Sequence, residues 1–277
     1  MKIKKEYNYT NKRQIWRLLP TKSNKLVIEE RDTGTKEVFF NCIDIISGVD
    51  IFRNFQLDEK YWAGIEIIHD DIILFHKYPD RDMPGHRGII TYDINTQSIL
   101  WQNDDYIFLF IWEDKIYCYQ NLFEGRKYYS VDIQSGEYIE ELGEDSDSIN
   151  ILREKSFDSI SYDGYLFPET YSTSVIKNNS SLSDFMQEFM QNHVIVGEIE
   201  FILLDNYILL NCHGPLKNGY LKNTFMAIEI LSKKIIFKEE LNSQAKAFVP
   251  DSFFIKDNFL FLLIEKNKLT VCSINKT

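Results

Sequence analysis

The sequence DDIILFHKYPDRDMPGHRGIITYDINTQSILW, residues 70–101, indicates the fold of the chain. It holds an apolar run at 72–75, a polar loop, a second apolar run at 89–94, a short turn and a third run at 99–101. Short runs rich in Ile, Phe and Tyr, separated by turn residues, are typical of consecutive strands. The stretch therefore predicts three strands in a row.

Copies of its last turn recur along the chain. A strand with an acidic end, a tight turn and a strand with an apolar end are found around Asp44, Asp93, Asp132 and Glu229. These positions are 49, 39 and 97 residues apart, and the double-length gap predicts one further, degenerate copy within it. A period of about 40–50 residues with several short strands is typical of β-propeller blades.

We therefore predict an all-β protein, a single β-propeller domain over 1–277 with five or six blades. One short helical insertion is predicted near 181–192, because apolar residues recur there at spacings of three and four. These residues are Leu182, Phe185, Met186, Phe189 and Met190. The polar, irregular interval 146–180 is where we place the degenerate blade.

The two ends of the sequence predict how the ring closes. The last apolar run stops near the C-terminus, where the outermost strand of its blade should begin. Near the N-terminus, YNYTNKRQIW (7–16) shares its first Tyr and its closing Trp with YDINTQSILW (92–101). We predict that an N-terminal strand completes the C-terminal blade, which leaves no open seam.

Composition excludes several classes of function. The formal net charge of −11 argues against nucleic-acid binding and against docking on an anionic membrane. No apolar segment approaches the roughly 18 residues of a membrane span, and no apolar run follows the basic N-terminus as in a secretory signal. The cysteines are isolated, which predicts buried thiols in a reducing cytoplasm. They are Cys42, Cys118, Cys212 and Cys272.

The loop 76–88 is the first candidate site, because it concentrates His76, Asp80, Asp82, His86 and Arg87. The two histidines flank a predicted hairpin and can approach each other, and an aspartate beside them would complete a metal set or a general-base pair. A surface hairpin held by its own ion pairs explains the same residues. The spacing H-x9-H matches no standard zinc pattern, so neither a metal nor a cofactor is predicted.

A second candidate set lies on other predicted loops. It comprises Glu30, Arg31, Trp62, Glu66, Glu124 and Arg126. These side chains converge if neighbouring blades place the loops at one end, although Glu–Arg pairs are also ordinary structural ties. Cys212 and His213 are adjacent on a predicted strand, so their side chains point to opposite faces and do not pair as nucleophile and base.

Four segments together resemble an uncharacterised bacterial domain family of unknown function. They are IWRLLP (15–20), IEERD (28–32), MPGHRGII (83–90) and GEIEFILLDNYILL (197–210). Members of this family are similar to small β-propellers, and the repeats also resemble quinoprotein-type and WD40-like blades. The resemblance implies one domain and a bacterial cytoplasmic setting, and it implies no activity.

The leading functional prediction is a binding module. A protein partner or a small polar ligand would bind the face that carries the loop 76–88. The alternative is a hydrolase or lyase that uses His76 or His86 with nearby carboxylates. A third hypothesis is a scaffold without a small-molecule site.

Overall fold

The computed structural model describes residues 1–79, 85–158, 164–172 and 180–275. Within these residues the chain forms 22 strands and two helices, which confirms the predicted all-β class. The chain divides into two compact units. One unit is Arg13–Ser161, and the other combines Met1–Lys12 with Tyr162–Thr277. Neither helix has the length and apolar character needed to cross a bilayer.

The elements follow one another in short steps. The first thirteen strands are β1 (Lys2–Thr10), β2 (Gln14–Pro20), β3 (Lys25–Arg31), β4 (Val38–Asp44), β5 (Asp50–Phe55), β6 (Ala63–His69), β7 (Ile72–Lys77), β8 (Arg87–Asp93), β9 (Ser98–Asn103), β10 (Ile107–Trp112), β11 (Lys115–Asn121), β12 (Arg126–Asp132) and β13 (Tyr138–Gly143). The remaining elements are α1 (Ser146–Asp158), β14 (Tyr165–Leu166), β15 (Glu169–Thr170), α2 (Ser180–Asn192), β16 (Glu200–Leu204), β17 (Tyr207–Pro215), β18 (Leu221–Glu229), β19 (Lys234–Ala245), β20 (Phe253–Lys256), β21 (Phe259–Ile264) and β22 (Lys268–Asn275).

The unit Arg13–Ser161 contains three sheets of four antiparallel strands. In each sheet the strands lie in chain order, β2 to β5, β6 to β9 and β10 to β13. The central strands are buried on both faces, and β7 is an example. Its Ile73 and Phe75 pack toward the β2–β5 sheet, whereas Ile72 and Leu74 pack toward the β10–β13 sheet. Burial on both faces explains why these strands are continuous apolar runs in the sequence.

The repeated acidic residue forms the turn between the third and fourth strands, as predicted. The Asp132 carboxylate accepts the Ser135 amide at 2.8 Å, and Asp44 does the same for Ser47 at 2.7 Å. Gly136 has a φ of 69°, and a Cβ there would lie 2.5 Å from the Trp101 ring. Glycine is thus required both by the turn and by the ring that packs on it.

The other unit contains two sheets of five strands. One has the order β15, β16, β17, β18, β19, and the other has the order β1, β22, β21, β20, β14. Strand β1 runs antiparallel to β22, from Lys2 opposite Asn275 to Thr10 opposite Lys268. This is the pairing of the two chain ends predicted from the sequence.

The predicted N-terminal strand over 7–16 is divided in the structure. Residues 7–10 belong to β1, and residues 14–16 begin β2 in the other unit. Lys12, between the two strands, has a φ of 64°, a left-handed conformation that interrupts an extended strand. The shared Tyr and Trp therefore lie on two different sheets.

Helix α2 agrees with the helix predicted near 181–192. Its apolar residues Leu182, Phe185, Met186 and Phe189 are buried with Leu210 and other residues of the β15–β19 sheet. The helix therefore covers one face of that sheet, which explains its spacing of three and four.

The degenerate blade predicted in 146–180 is absent from the described part of that interval. Helix α1 begins there instead, and Asp145 caps it by accepting the Asp147 amide at 3.0 Å. Ile149 of α1 packs against Phe110 and Tyr117 of the β10–β13 sheet. The short strands β14 and β15 extend two different sheets rather than form a new one. The described residues thus hold five sheets.

The four cysteines are free and buried, as predicted. Burial raises the pKa of the Cys42 and Cys118 thiols to about 12 and that of Cys212 and Cys272 to about 11. A thiol with such a pKa is protonated at neutral pH and is a poor nucleophile. These cysteines therefore act as small core residues.

Removal of residues 1–10 is expected to lower the midpoint of thermal unfolding, because β22 would lose a strand neighbour along its whole length. Tyr9 is 3% exposed in this strand, so Tyr9→Ala alone is expected to cost about 3 kcal/mol in urea unfolding. Lys4→Ala serves as the control, because the Lys4 side chain is 61% exposed. A truncated chain that unfolds at the midpoint of the full chain would contradict the role of β1.

Candidate functional site

Two of the predicted residues, His76 and His86, lie in contact. Their rings are stacked with centroids 3.6 Å apart and planes 5° apart. Both Nδ1 atoms approach the same oxygen of Glu66, at 2.9 Å for His76 and 2.6 Å for His86. The His86 contact is a hydrogen bond, whereas His76 lacks the alignment of one. We call Glu66, His76 and His86 the Glu–His cluster.

A β-bulge positions Glu66. On β6, Gly64 lies opposite His76 and Ile65 opposite Phe75, but the next paired residue is Ile67, opposite Leu74. Glu66 is the extra residue of this bulge, and a bulge redirects the side chain of the residue it inserts. The same irregularity occurs on β2 and β10, where Trp16 and Leu109 are the inserted residues. Of these three bulges, only the one on β6 carries a carboxylate; in the other unit, the bulge of β1 inserts Glu6, which pairs with Lys4.

His76 is held in a tight position at the end of β7. It is 3% exposed, and its ring lies against Gly64. A Cβ at position 64 would lie 3.1 Å from Nε2 and 3.2 Å from Cε1, so glycine provides the room for the ring. Neither ring nitrogen of His76 has an aligned hydrogen-bond partner in the described residues.

The cluster opens to solvent at His86, which lies just before β8. Exposure of the side chains rises from 4% for His76 to 17% for Glu66 and 36% for His86. The Tyr78 ring stands at right angles to both imidazoles, 4.9 Å from His76 and 5.3 Å from His86. A small molecule or ion would therefore reach the cluster from the His86 side.

Charged residues of β3 and β2 support β6 beneath the cluster. Arg31 forms an ion pair with Glu29 at 2.8 Å and donates to the Ala63 carbonyl at 3.3 Å. Glu29 also accepts the Ile65 amide at 3.4 Å, and Arg17 donates to the Ile65 carbonyl. These bonds tie the first two sheets of the unit together on the N-terminal side of the Glu66 bulge.

Of the second candidate set, Arg31 and Glu66 thus belong to the surroundings of the histidines. Glu30 is engaged elsewhere, since its carboxylate lies 3.4 Å from Arg13. Trp62 contributes its backbone carbonyl, which accepts the Tyr78 amide at 2.8 Å, and its side chain is 39% exposed.

The remaining predicted residues are not brought to the cluster by any described contact. Arg87 donates to the Asp104 carbonyl at 3.3 Å. Arg126 packs over the Tyr119 ring at 4.5 Å, and Glu124 is exposed in the same turn. Asp80 and Asp82 lie outside the described residues.

Electrostatics favour an ionised Glu66. Burial by itself would raise its pKa, but the contact with His76 and the charge and hydrogen bond of His86 outweigh this effect. The pKa of the carboxyl therefore lies below its ordinary value of 4.5. An ionised carboxylate between two imidazoles is suited to hold a proton donor or a cation.

A second group of polar residues is buried in the other unit, on the face of the β15–β19 sheet away from α2. It comprises Glu200, Asn211, His213 and Asn223, all at most 5% exposed. The His213 Nε2 accepts the Val249 amide at 3.2 Å, and Glu200 accepts the Asp251 amide at 3.0 Å. Cys212 packs on the opposite face with α2, as predicted from strand alternation.

This second group is closed to solvent and incompletely hydrogen-bonded. Polar atoms without an aligned partner in the described residues occur in all four side chains, including both amide atoms of Asn211. Burial raises the pKa of Glu200 and lowers that of His213. Both shifts favour the uncharged forms, as expected where charge is poorly solvated.

A cavity of about 220 Å³ lies in the same unit, on the α2 side of the sheet. Its lining includes His193, Cys212, Met226 and Lys238 and is mainly apolar. Neither Glu66 nor the stacked histidines contribute to it.

The fold and the cluster together define a class, an all-β protein of repeated antiparallel sheets with a polar cluster where β6, β7 and β8 meet. Residues 19–101 match the family described as Domain of unknown function (DUF4905). The matched range contains the whole Glu–His cluster and confirms the resemblance to a family of unknown function. The segment 197–210 lies outside it. No curated protein matches the chain.

Three solved structures are similar to this chain. The acylaminoacyl peptidase of Pyrococcus horikoshii is 10% identical, with a TM-score of 0.31, over 91% of this chain and 36% of that chain. The β-propeller domain of the Trilobed protease from Pyrococcus furiosus is 12% identical, with a TM-score of 0.33, over 92% and 64%. An uncharacterized protein of Listeria monocytogenes EGD-e is 12% identical, with a TM-score of 0.32, over 91% and 75%. This chain thus spans less than two thirds of the first two, and likenesses this loose say nothing about function.

The raised pKa of Glu200 predicts how its replacement changes stability with pH. The folded chain binds the Glu200 proton more tightly than the unfolded chain, so this residue lowers the free energy of unfolding as pH rises above about 4.5. Glu200→Gln removes that decrease. The difference in free energy of unfolding, variant minus wild type, is therefore expected to grow between pH 4.5 and pH 7 in urea titrations.

Glu137→Gln is the control, because Glu137 is exposed and lies in the other unit. Its difference from wild type should stay nearly constant over the same range. If the free energy of unfolding of Glu200→Gln minus that of the wild type instead shrinks as pH rises, the prediction is wrong. The folded state would then stabilise the ionised form of Glu200.

Proposed function

We propose that the protein is a binding module that holds a small polar molecule, an ion or a polar group of a partner at the Glu–His cluster. The observation that carries this proposal is the stacked pair His76 and His86 around one carboxylate oxygen of Glu66. The pair combines a buried imidazole with a half-exposed one. It therefore offers polar atoms at a place that a small ligand can reach.

The energetic argument rests on His76. A buried polar atom without a hydrogen bond costs about 1–3 kcal/mol. Nδ1 of His76 lies 2.9 Å from the Glu66 carboxylate, whereas the buried Nε2 has no hydrogen-bond partner in the described residues. A ligand that bonds to the cluster recovers this free energy, which supports a binding role over a purely structural one.

The proposal includes the architecture predicted from the sequence. We infer that the five sheets are the blades of one β-propeller domain. The common antiparallel order of their strands and the pairing of β1 with β22 support this inference. Loops at one end of propeller blades are a common place for ligands, and the cluster lies where the β7–β8 loop joins its two strands.

A second candidate function is a hydrolase or lyase. The hydrogen bond between Glu66 and His86 Nδ1 favours it, since a carboxylate that orients an imidazole is the arrangement of a general base. Nε2 of His86 would then accept the proton of a substrate or a water molecule. A nucleophile or oxyanion-binding group beside His86 is the further feature that this function requires.

The binding proposal predicts ligand stabilisation that depends on His86. The full chain and His86→Ala are screened by thermal unfolding against small carboxylates, amines, sugars, inorganic phosphate and divalent cations. At least one of these is expected to raise the unfolding midpoint of the wild type and not that of the variant. A ligand at 100 times its Kd contributes about 2.7 kcal/mol, which such a screen detects.

His69→Ala is the control, because His69 lies in the same unit and pairs with the exposed Asp114 at 2.7 Å. It should respond to the ligand as the wild type does. Equal stabilisation of the wild type and His86→Ala by every compound would count against the cluster as the site. Turnover of a substrate that is lost in His86→Ala would favour the enzyme instead.

A further inference from the structure

We propose that the Glu–His cluster is a site for one divalent first-row transition-metal ion, with zinc as the reference ion. The ligands would be a carboxylate oxygen of Glu66 and the Nδ1 atoms of His76 and His86. This inference rests on the proposed function, because it names the ligand of the same site. It is independent of any motif, since the spacing of the two histidines matches no standard zinc pattern.

The donor set fits the chemistry of such an ion. Two imidazoles and one carboxylate form a three-ligand set that binds zinc and other borderline cations and leaves positions open for water or a substrate. Magnesium and calcium prefer oxygen donors, so they fit this set poorly. One donor atom from each of the three residues already lies within 4.8 Å of the other two.

The distances define the movement that binding requires. With metal–ligand bonds of about 2.0–2.1 Å, two donors in a tetrahedral site are about 3.3 Å apart. The Glu66 oxygen lies 2.6 and 2.9 Å from the two Nδ1 atoms. The two oxygen–nitrogen distances therefore need to lengthen by about half an ångström, in addition to a change in ring orientation.

The orientation of the rings decides which residue moves. The lone pair of Nδ1 lies in the plane of its imidazole, and two parallel rings 3.6 Å apart cannot both direct it at one ion. His76 is fixed against Gly64, whereas His86 is half-exposed beside a loop. Metal binding is therefore expected to turn the His86 ring out of the stack while His76 stays in place.

A second group in the same unit serves as an internal comparison. His69, Asp70 and Asp114 also bring three donor atoms within 4.8 Å. The two aspartate side chains are 62% and 78% exposed, however, and no buried donor holds the set in place. The Glu–His cluster instead has its donors on the bulge of β6, at the end of β7 and at the start of β8, and His76 is buried.

The test is calorimetric titration of the full chain, without a polyhistidine tag, with zinc chloride, and with cobalt chloride followed by absorption spectroscopy. One ion per chain is expected. Glu66→Gln and His86→Ala are each expected to weaken binding at least about 100-fold, since loss of a supporting residue alone costs about 10–100-fold. His69→Ala should bind zinc as the wild type does. Cobalt bound to the wild type should show visible absorption bands typical of a low coordination number. These bands should be absent for the two cluster variants.

Gly64→Ala tests the site with a variant that keeps all three metal ligands. Its Cβ would press on the His76 ring, so zinc affinity should fall although all three ligands remain. Circular dichroism and the unfolding midpoint of each variant without metal establish that it is folded. Unchanged zinc affinity in both Glu66→Gln and His86→Ala, or the absence of zinc binding to the wild type, overturns the metal site.

The two failures are separable. If zinc does not bind but another compound of the thermal screen stabilises the wild type and not His86→Ala, the metal inference falls and the binding function stands. If zinc binding is lost only in His69→Ala, the metal site is the exposed group and the inference about the cluster is wrong. If neither zinc nor any compound depends on His86, both proposals fall.

Discussion

The burial of the central strands on both faces is the constraint on which the rest of the structure depends. The residues of strands β3 and β7 are almost all buried, so they must be apolar or hydrogen-bonded. This requirement gives the continuous apolar runs of the sequence. It also makes each polar residue in such a strand informative, because water cannot compensate for a poor partner. Glu29, Glu30 and His76 are the buried polar residues of these two strands. Glu30 pairs with Arg13, which leaves Glu29 and His76 as the two exceptions to compare.

The two exceptions are resolved in different ways. Glu29 meets Arg31 and the Ile65 amide, and it therefore joins two sheets as an ordinary structural tie. His76 approaches Glu66 without an aligned hydrogen bond and stacks on His86. Both carboxylate oxygens of Glu29 are thus hydrogen-bonded within the protein. The arrangement at His76 is incomplete, and it is found where the strand meets a loop and solvent is near.

Much of the fold could be predicted from the sequence, because strand period, turn chemistry and helical spacing are local signals. The Asp turns and α2 are examples. Helix α1 is not predicted by the sequence, because its residues are mostly polar and Ile149 is its one deeply buried apolar residue. The sequence predicts Asp80 or Asp82 as the partner of the two histidines, because these residues are near in sequence. Glu66 was placed in a different set, because a bulge and the register of β6 on β7 are not visible in a single sequence.

A comparison of the two polar groups explains why we propose only one of them as a ligand site. Glu200, Asn211, His213 and Asn223 have more unpaired polar atoms than the Glu–His cluster, yet all are at most 5% exposed. Their environment favours neutral forms, so bound water suits them better than a cation. Glu66 is instead held ionised, and the exposure of its neighbours rises toward His86. Of these two groups, the cluster is the one where charge and access coincide, because the bulge of β6 carries a carboxylate and Gly64 leaves room for an imidazole.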